Sequence, residues 1–267
     1  MSGLKDVRIA CVGSGIMGGA LMERLLAAGA VTASQIVACD PNEARLAELK
    51  AKLGVETAVA NAAGAKEADI VLLLPPPPAV VPVLAEIAGS LKPGALVISF
   101  APGANLAKLR TVAPEGVFLA RVMPNTPSLV GEGMNAYVCE PGISAEAKAR
   151  LLALLEAWGK SMEVREEDLN ACCALLAVGP TYLLPLAGQL MASATAAGLD
   201  AASARAAVAQ LFTGVGALLA CTDRSAEDLT NMISMQPLDA EAARKLFADA
   251  YSSVLGKLNE VQAKLSA

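Results

Sequence analysis

A glycine-rich turn near the amino terminus is the first indication of chemistry in this chain. Gly13, Gly15 and Gly18 form a G-x-G-x-x-G pattern. In such a pattern the first glycine permits a tight turn, the second lets a diphosphate approach the backbone, and the third lets a helix pack closely on a strand. Free N–H groups and the dipole at the start of the following helix favour phosphate. The pattern therefore predicts a dinucleotide site, and a glycine turn without a ligand is the alternative.

The flanking segments make this pattern more specific. An apolar run over Val7–Val12 predicts a buried strand before the turn, and Ala20–Ala28 predicts a helix after it. Strand, glycine turn and helix, in that order, are the context in which a G-x-G-x-x-G pattern indicates dinucleotide binding.

A carboxylate follows the second predicted strand. Asp40 comes directly after the apolar segment Ile36–Cys39, about 20 residues beyond the glycines, where an acidic side chain can bind the ribose hydroxyls of a dinucleotide. A 2′-phosphate would meet a like charge there, which predicts NAD(H) rather than NADP(H). Two alternatives stay open: an Asp-Pro-Asn turn without a ligand, and a phosphate contact from Arg45.

Composition excludes several other classes of site. The chain contains no histidine, which removes a histidine general base and a histidine metal site, and no cluster of cysteines and carboxylates replaces them. We therefore predict no metal ion. The formal net charge is −5 and basic residues form no block, which argues against nucleic acid or an anionic membrane as a partner.

The cysteines bear on location. Six are scattered through apolar segments without a C-x-x-C pair, and a chain of this length needs no disulfide scaffold. Reduced thiols in the cytoplasm are the simpler interpretation. The first residues are polar and do not resemble a secretory signal, so we expect a cytoplasmic protein.

The elements that position the glycine turn follow from the hydropathy pattern. Apolar strand-like segments alternate with helical ones up to about residue 165, which predicts an α/β domain over residues 1–165 with a doubly wound, mostly parallel sheet. Residues 166–267 are predicted to be all helical. Their broad apolar faces exceed what one small bundle can cover, which predicts a homodimer or a larger homo-oligomer.

One helical stretch is long enough to suggest a membrane span. Residues 171–192 carry no charge and have about the length of a transmembrane helix. Pro180 and Pro185 interrupt the stretch, and a helix buried between protein surfaces explains the same composition. We therefore expect no membrane partner.

The most specific motif is Arg121–Pro127, with the sequence RVMPNTP, followed by Val130–Gly133. With it, the chain resembles the pyrroline-5-carboxylate reductase family. Further segments fall at that family's spacing: Ile9–Gly19, Ala68–Val71, Leu96–Ser99 and Gly179–Tyr182.

The resemblance implies a Rossmann-type dinucleotide-binding domain followed by a helical dimerisation domain. It also implies that NAD(P)H reduces a small cyclic imine, most directly pyrroline-5-carboxylate to proline. This chemistry needs orientation, a substrate pocket and a modest proton source. None of these requires histidine.

The resemblance and the motifs together assign residues to the site. The cofactor-lining candidates are Gly13, Ser14, Gly15, Ile16, Met17, Gly18, Asp40, Asn61, Leu74, Pro75, Pro76, Ala101, Pro102 and Met123. The catalytic candidates are Asn125 and Thr181. The substrate candidates are Glu166, Glu167, Thr230 and Asn231.

The chain departs from the family's pattern in three segments. Pro75–Pro77 replaces a Val-Lys-Pro loop, and Leu176–Val178 replaces Ser-Gly-Ser. Thr230–Leu238 stands where the family has a Ser-Pro-Gly-Gly-Thr-Thr loop, whose backbone N–H groups hold the substrate carboxylate. Because an anion nest needs such a backbone, we expect a different and less acidic substrate, or a weakened enzyme.

Two other functions are alternatives to imine reduction. Gly15–Gly18 also resembles the first motif of β-hydroxyacid dehydrogenases, but residues 171–198 lack the lysine which that family needs. The altered loop at Thr230–Leu238 suggests a non-catalytic dimer that binds NAD(H), since a fold alone does not determine a function.

Overall fold

The computed structural model describes residues 2–266. Contacts group these residues into two compact units. One contains the chain up to Val178 together with the residues from Ser253 onward, and the other is Gly179–Ser252. The sequence-based boundary at residues 165 and 166 falls inside the first unit, and it stays a prediction.

The first unit is built on an eight-stranded sheet. Its strands are β1 (Ile9–Val12), β2 (Ile36–Cys39), β3 (Glu56–Ala58), β4 (Ile70–Leu73), β5 (Leu96–Ser99), β6 (Phe118–Met123), β7 (Gly133–Cys139) and β8 (Gly159–Glu163). Their order is β3-β2-β1-β4-β5-β6-β7-β8, and all neighbours are parallel except β6 and β7. The predicted doubly wound, mostly parallel sheet is confirmed.

Helices cover both faces of this sheet. They are α1 (Ile16–Ala27), α2 (Glu43–Leu53), α3 (Asn61–Ala65), α4 (Val80–Ile87), α5 (Leu106–Arg110) and α6 (Ala145–Trp158). Helices α1, α2 and α6 pack on one face and α3, α4 and α5 on the other. Strands β1, β2, β4 and β5 are therefore buried along their whole length, as continuous apolar runs predict for a parallel sheet.

Helix α1 begins earlier than the sequence suggests. We predict a helix from Ala20, whereas α1 begins at Ile16, inside the glycine motif. Glycine disfavours helices by local propensity, but Gly18 and Gly19 are buried against the structure around them. Tertiary packing therefore overrides propensity and brings the start of the helix to the end of β1.

The sheet also differs from the sequence prediction at its far side. The apolar segment Ala136–Cys139 predicts a strand. The observed strand, β7, begins three residues earlier, at Gly133, and runs antiparallel to β6. A short connection containing the 3₁₀ helix Thr126–Val130 joins the two strands. A connection this short allows antiparallel pairing, whereas parallel neighbours need a longer crossover.

The remaining helices follow β8. They are α7 (Leu169–Cys172), which continues as a π-helical turn over Cys173–Ala177, then α8 (Pro180–Ala196), α9 (Ala201–Cys221), α10 (Ala226–Asn231) and α11 (Ala240–Ser266). Within the second unit α8 lies against α9. The sequence predicts helices here with turns at Gly198, near Asp223 and at Gln236–Pro237. The structure confirms the helical character of the region, and its helices are interrupted at these positions.

Many apolar side chains of the second unit are exposed in a single chain. Leu184 is 65% and Leu219 53% exposed, and Cys221 on α9 is exposed as well, unlike the core thiol that the sequence suggests. By length and composition alone, the helical stretches Glu166–Ala196 and Ala201–Cys221 could cross a membrane. A surface shared with a second chain accounts for the same apolar faces.

The packing of α1 on β1 predicts the effect of a single methyl group. A β-carbon on Gly18 would lie 2.5 Å from the Gly13 carbonyl oxygen and 3.0 Å from Cys11 Sγ. We expect Gly18→Ala to lower the free energy of unfolding by about 1–3 kcal/mol, because neither backbone nor buried strand can move freely. Urea titration would measure it.

Gly89→Ala is the matched control, because nothing lies within 4 Å of the added β-carbon. It should change the free energy of unfolding by no more than about 0.5 kcal/mol. Equal effects of the two substitutions would contradict this packing argument.

Candidate cofactor and substrate site

The glycine turn joins three strand ends at the carboxyl edge of the sheet. Gly13, with φ at +91°, donates a hydrogen bond from its backbone N–H to the Cys39 carbonyl oxygen at 2.9 Å. A β-carbon on Gly13 would lie 2.6 Å from the carbonyl carbon of Leu74 and 2.7 Å from the nitrogen of Pro75. The turn after β1 therefore lies directly against the loop after β4, and only glycine fits at this position.

The space above the start of α1 is open. Gly15 is the N-cap residue of α1, and no side chain caps this helix end. No atom of the described residues lies within 4 Å of a β-carbon built on Gly15, and Ile16 is 92% exposed. The unpaired N–H groups of the first helical turn thus face an accessible surface. Backbone, shape and helix dipole fit the diphosphate of a dinucleotide.

The other two residues of the motif serve the turn itself. Ser14 is fully buried, and its Oγ donates to the Cys11 carbonyl oxygen at 3.0 Å. Met17 is partly buried against the core on the α1 side of the sheet. We infer that these two side chains support the turn and that its backbone meets the ligand.

Asp40 contacts the glycine turn directly. Its Oδ2 accepts a hydrogen bond from the Ser14 backbone N–H at 3.0 Å, and its Oδ1 accepts one from the Asn42 N–H at 2.9 Å. Arg45 donates from Nε to the Ser14 carbonyl oxygen at 3.0 Å and from Nη2 to that of Gly15 at 3.2 Å. The backbone N–H of Ser14 is therefore held by Asp40 and its carbonyl oxygen by Arg45. The sequence analysis missed this role of the two residues.

The other predicted cofactor-lining residues follow the ends of β3, β4 and β5. Asn61 begins α3 and lies 3.4 Å from the Glu86 carboxylate oxygens. Pro75 is half-buried and Pro76 exposed. Ala101 is buried and Pro102 half-buried. Because these strands are parallel, their carboxyl ends share one edge of the sheet with the glycine turn, where ligands bind in such folds.

The end of β6 carries Met123 and Asn125. Met123 is buried. Asn125 Oδ1 accepts from the Met134 backbone N–H at 3.2 Å and lies 3.4 Å from Ser128 Oγ. In the described part of the chain we find no acceptor for the Asn125 Nδ2 donor, so the side chain is oriented by its oxygen and keeps a donor for a ligand.

Glu166 lies in an ion pair inside the first unit. Its Oε1 accepts from Arg121 Nη1 at 2.9 Å and from the Leu106 backbone N–H at 2.8 Å. Arg121 is 1% exposed, and its Nη2 donates to the Ala101 carbonyl oxygen at 3.3 Å. Burial lowers the pKa of Arg121, and the hydrogen bond with Glu166 opposes this change. In the sequence, the one feature that indicates this ion pair is a charged residue, Arg121, within an otherwise apolar strand.

The substrate role predicted for the two glutamates stays a prediction. Glu166 is engaged as described, whereas Glu167 is exposed and paired with Arg165. The partners of both glutamates are therefore residues of this protein. The contacts of Glu166, together with that of Arg121 to Ala101, join β6 to the loop after β5 and to the start of α5.

Thr181, Thr230 and Asn231 belong to the second unit, and their predicted roles also stay predictions. Thr181 lies in the first turn of α8. Thr230 Oγ1 donates to the Ala226 carbonyl oxygen at 2.8 Å, and Asn231 Oδ1 lies 3.4 Å from Gln236 Nε2. The segment after α10 exposes Met232, Ile233, Met235 and Leu238.

A strand, a tight glycine turn and an uncapped helix start, placed at the switch point between β1 and β4, define a dinucleotide-binding fold. Family models agree with this assignment. Residues 8–103 match the model described as NADP oxidoreductase, coenzyme F420-dependent. Residues 166–259 match the model for pyrroline-5-carboxylate reductase dimerisation.

Individual relatives extend the match to nearly the whole chain. The pyrroline-5-carboxylate reductase of Vibrio alginolyticus is 32% identical over 257 residues, which cover 95% of this chain and 94% of the relative. That of Corynebacterium melassecola is 32% identical over 229 residues, covering 85% and 84%. The chain belongs to the pyrroline-5-carboxylate reductase family.

Solved structures show the same fold. The Plasmodium falciparum pyrroline carboxylate reductase with NADP bound superposes with a TM-score of 0.85 at 21% identity, covering 96% of this chain and 98% of that one. A pyrroline-5-carboxylate reductase from Coxiella burnetii gives a TM-score of 0.78 at 25% identity, with the same coverage.

The two adjacent glutamates allow a direct test of the buried ion pair. Glu166→Ala leaves the Arg121 guanidinium buried without its counter-charge, so we expect the free energy of unfolding to fall by about 3 kcal/mol. Glu167→Ala removes an exposed pair and should lower it by less than about 1 kcal/mol. Chemical denaturation of both variants would measure the difference, and similar losses would argue against a structural role for Glu166.

Proposed function

We propose that this protein reduces a small cyclic imine with a nicotinamide dinucleotide, and that pyrroline-5-carboxylate, reduced to proline, is the first candidate substrate. The observation that carries the proposal is the position of Met123 and Asn125. Met123 is the last residue of β6, and Asn125 comes two residues later. The carboxyl end of β6 shares an edge of the sheet with β1, β4 and β5 and thus with the glycine turn. The near full-length similarity to pyrroline-5-carboxylate reductases supports the same reaction.

The residues at this edge can perform the tasks that the reaction needs. When bound, the reduced dinucleotide supplies a hydride. The turn from Gly13 to Gly18 would bind the diphosphate through backbone N–H groups, and buried Met123 would exclude water beside the reacting carbon. Asn125, held through its oxygen, would present Nδ2 to the substrate. Such positioning accounts for much of the acceleration in a reaction that needs no activated nucleophile.

We further propose that NADH is preferred to NADPH. Asp40 carries a negative charge next to the turn, and a 2′-phosphate there would meet it at close range. The Arg45 guanidinium binds the carbonyl oxygens of Ser14 and Gly15 and pairs with Glu48 at 3.1 Å. Its charge is thus already engaged, which weakens the alternative that Arg45 binds a phosphate.

Asp40→Asn tests this preference. We expect the wild-type protein to bind NADH more tightly than NADPH, and the substitution to shift the ratio of the two dissociation constants toward NADPH by about tenfold, because the like charge is removed. Isothermal titration calorimetry would measure both constants. Glu43→Gln, which removes an exposed carboxylate in the first turn of α2, is the control and should leave the ratio unchanged.

The substrate loop favours a comparison of two imines. The segment Thr230–Leu238 contains no glycine and exposes four apolar side chains, which fits a substrate with less negative charge or a contact with a second chain. The assay follows loss of the reduced nicotinamide absorbance with 1-pyrroline and with pyrroline-5-carboxylate. We expect turnover of at least one, and faster turnover of 1-pyrroline if the anion nest is lost.

The alternatives give distinct results in the same assay. NADH binding without turnover of either imine would favour a non-catalytic dinucleotide-binding dimer. Oxidation of a 3-hydroxyacid with NAD would favour a hydroxyacid dehydrogenase. Neither outcome agrees with the imine reductase proposed here.

We also propose that the helical region forms a homodimer or a larger homo-oligomer, and that the protein acts in the cytoplasm. The exposed apolar side chains of α8 and α9 and the match to a dimerisation model support the assembly. The cysteines in the described residues are all free thiols, which fits a reducing compartment.

A further inference from the structure

The end of α11 packs on the loop that follows β5. Gly103 is in this loop, is buried and has φ at +93°. A β-carbon built on it would lie 2.8 Å from Leu265 Cδ1, 3.1 Å from Val261 Cγ1 and 3.6 Å from the Gln262 backbone nitrogen. The last turns of the helix therefore touch the loop backbone itself.

Polar and apolar contacts anchor these helical turns to the rest of the first unit. Asn170, 6% exposed, donates from Nδ2 to Asn259 Oδ1 at 3.0 Å and to Gln262 Oε1 at 2.5 Å. Leu258 packs on the apolar cluster formed by α3, α4 and α5 with the sheet. Because Asn170 is buried, leaving its Nδ2 donor without an acceptor would be unfavourable, and these two hydrogen bonds therefore favour one arrangement of the helix end. We call residues 258–265 the terminal clamp.

The buried ion pair also holds this loop. Arg121 donates to the carbonyl oxygen of Ala101, and Glu166 accepts from the N–H of Leu106. The segment from Ala101 to Leu106 is therefore held at its two ends by the Arg121–Glu166 pair and at Gly103 by the terminal clamp. Of these contacts, those at Gly103 come from the last helix of the chain.

We propose that the terminal clamp is a positioning element for the nicotinamide half of the cofactor site. In a doubly wound sheet each half binds one mononucleotide. Here β1, β2 and β3 form the half that contains Asp40, and β4, β5 and β6 form the half that contains Met123 and Asn125. The clamped loop follows β5, so the clamp acts on the second half and not on the first.

The inference rests on the proposed function in one respect, namely that the ligand is a nicotinamide dinucleotide. The clamp residues lie outside the glycine turn, and Val261, Gln262 and Leu265 lie beyond residue 259, where the match to the dimerisation model ends.

Leu265→Ser is the principal test. We expect the dissociation constant for NADH to rise by about tenfold, because the loop after β5 loses its apolar support. ADP-ribose, which lacks the nicotinamide, should bind as tightly as to the wild-type protein. Calorimetry on the full chain would measure both. Lys264→Gln, at an exposed neighbouring position, is the control and should change neither constant.

Hydrogen exchange provides a readout that needs no ligand. Amides of residues 101–106 should exchange faster in Leu265→Ser, and in Gln262→Ala, which removes one acceptor of Asn170, than in Lys264→Gln. Thermal unfolding of each variant checks that the fold persists.

Unchanged NADH affinity together with unchanged exchange at residues 101–106 would overturn the clamp. Equal weakening of NADH and ADP-ribose would also overturn it, because the effect would then not be confined to the nicotinamide half. Absence of imine turnover by the wild-type protein would count against the proposed function alone. The clamp would not be affected, because neither the binding constants nor the hydrogen exchange depends on an imine.

Discussion

The rest of the site depends on one constraint, which is the close approach of two backbones at the carboxyl ends of the central strands β1 and β4. The turn after β1 and the loop after β4 lie so near each other that a β-carbon on Gly13 would meet the carbonyl carbon of Leu74 at 2.6 Å. This approach lets α1 begin directly at the end of β1, so that the unpaired N–H groups of the helix lie at the switch point of the sheet. The strand order changes direction at this point, because β4 lies beside β1 and not beside β3. The change leaves a crevice for a ligand between β1 and β4.

Charged side chains extend this constraint outward. On one side of the turn, Asp40 and Arg45 hold the Ser14 peptide from its N–H and its carbonyl oxygen. On the other side, Arg121 and Glu166 join β6 to the loop after β5 and to α5. The sequence analysis assigns Asp40 to the cofactor and Glu166 to the substrate. In this protein both carboxylates hold backbone N–H groups, those of Ser14 and Leu106 respectively.

Membership of the pyrroline-5-carboxylate reductase family and the departure at Thr230–Leu238 have to be considered together. The parts of the chain that form the sheet and the glycine turn keep the family's pattern. The segment after α10 instead exposes apolar side chains such as Met235, which is 80% exposed. Such a surface suits an apolar substrate or a second chain better than a carboxylate.

Much of this architecture could be predicted from local sequence. Buried strands appear as short apolar runs, the glycine turn has a fixed spacing, and the change to helical periodicity near residue 165 is plain. These features depend on residues that are close together in the chain, and for that reason they can be predicted from the local sequence. Strand β7 was placed correctly but too short, because its first residues, Gly133 to Asn135, lack the apolar pattern and gain their pairing from β8.

The contacts that local patterns do not reveal join residues that are distant in the chain. Periodicity and motifs are sufficient to predict the fold class, the dinucleotide turn and the helical second part. They do not predict that Asp40 and Arg45 hold the backbone of Ser14, that Arg121 pairs with Glu166, or that the end of α11 reaches Gly103. The physical reason is that hydrogen bonds and close packing depend on atomic distances, and periodicity and spacing determine which face a residue occupies but not its partner across the fold.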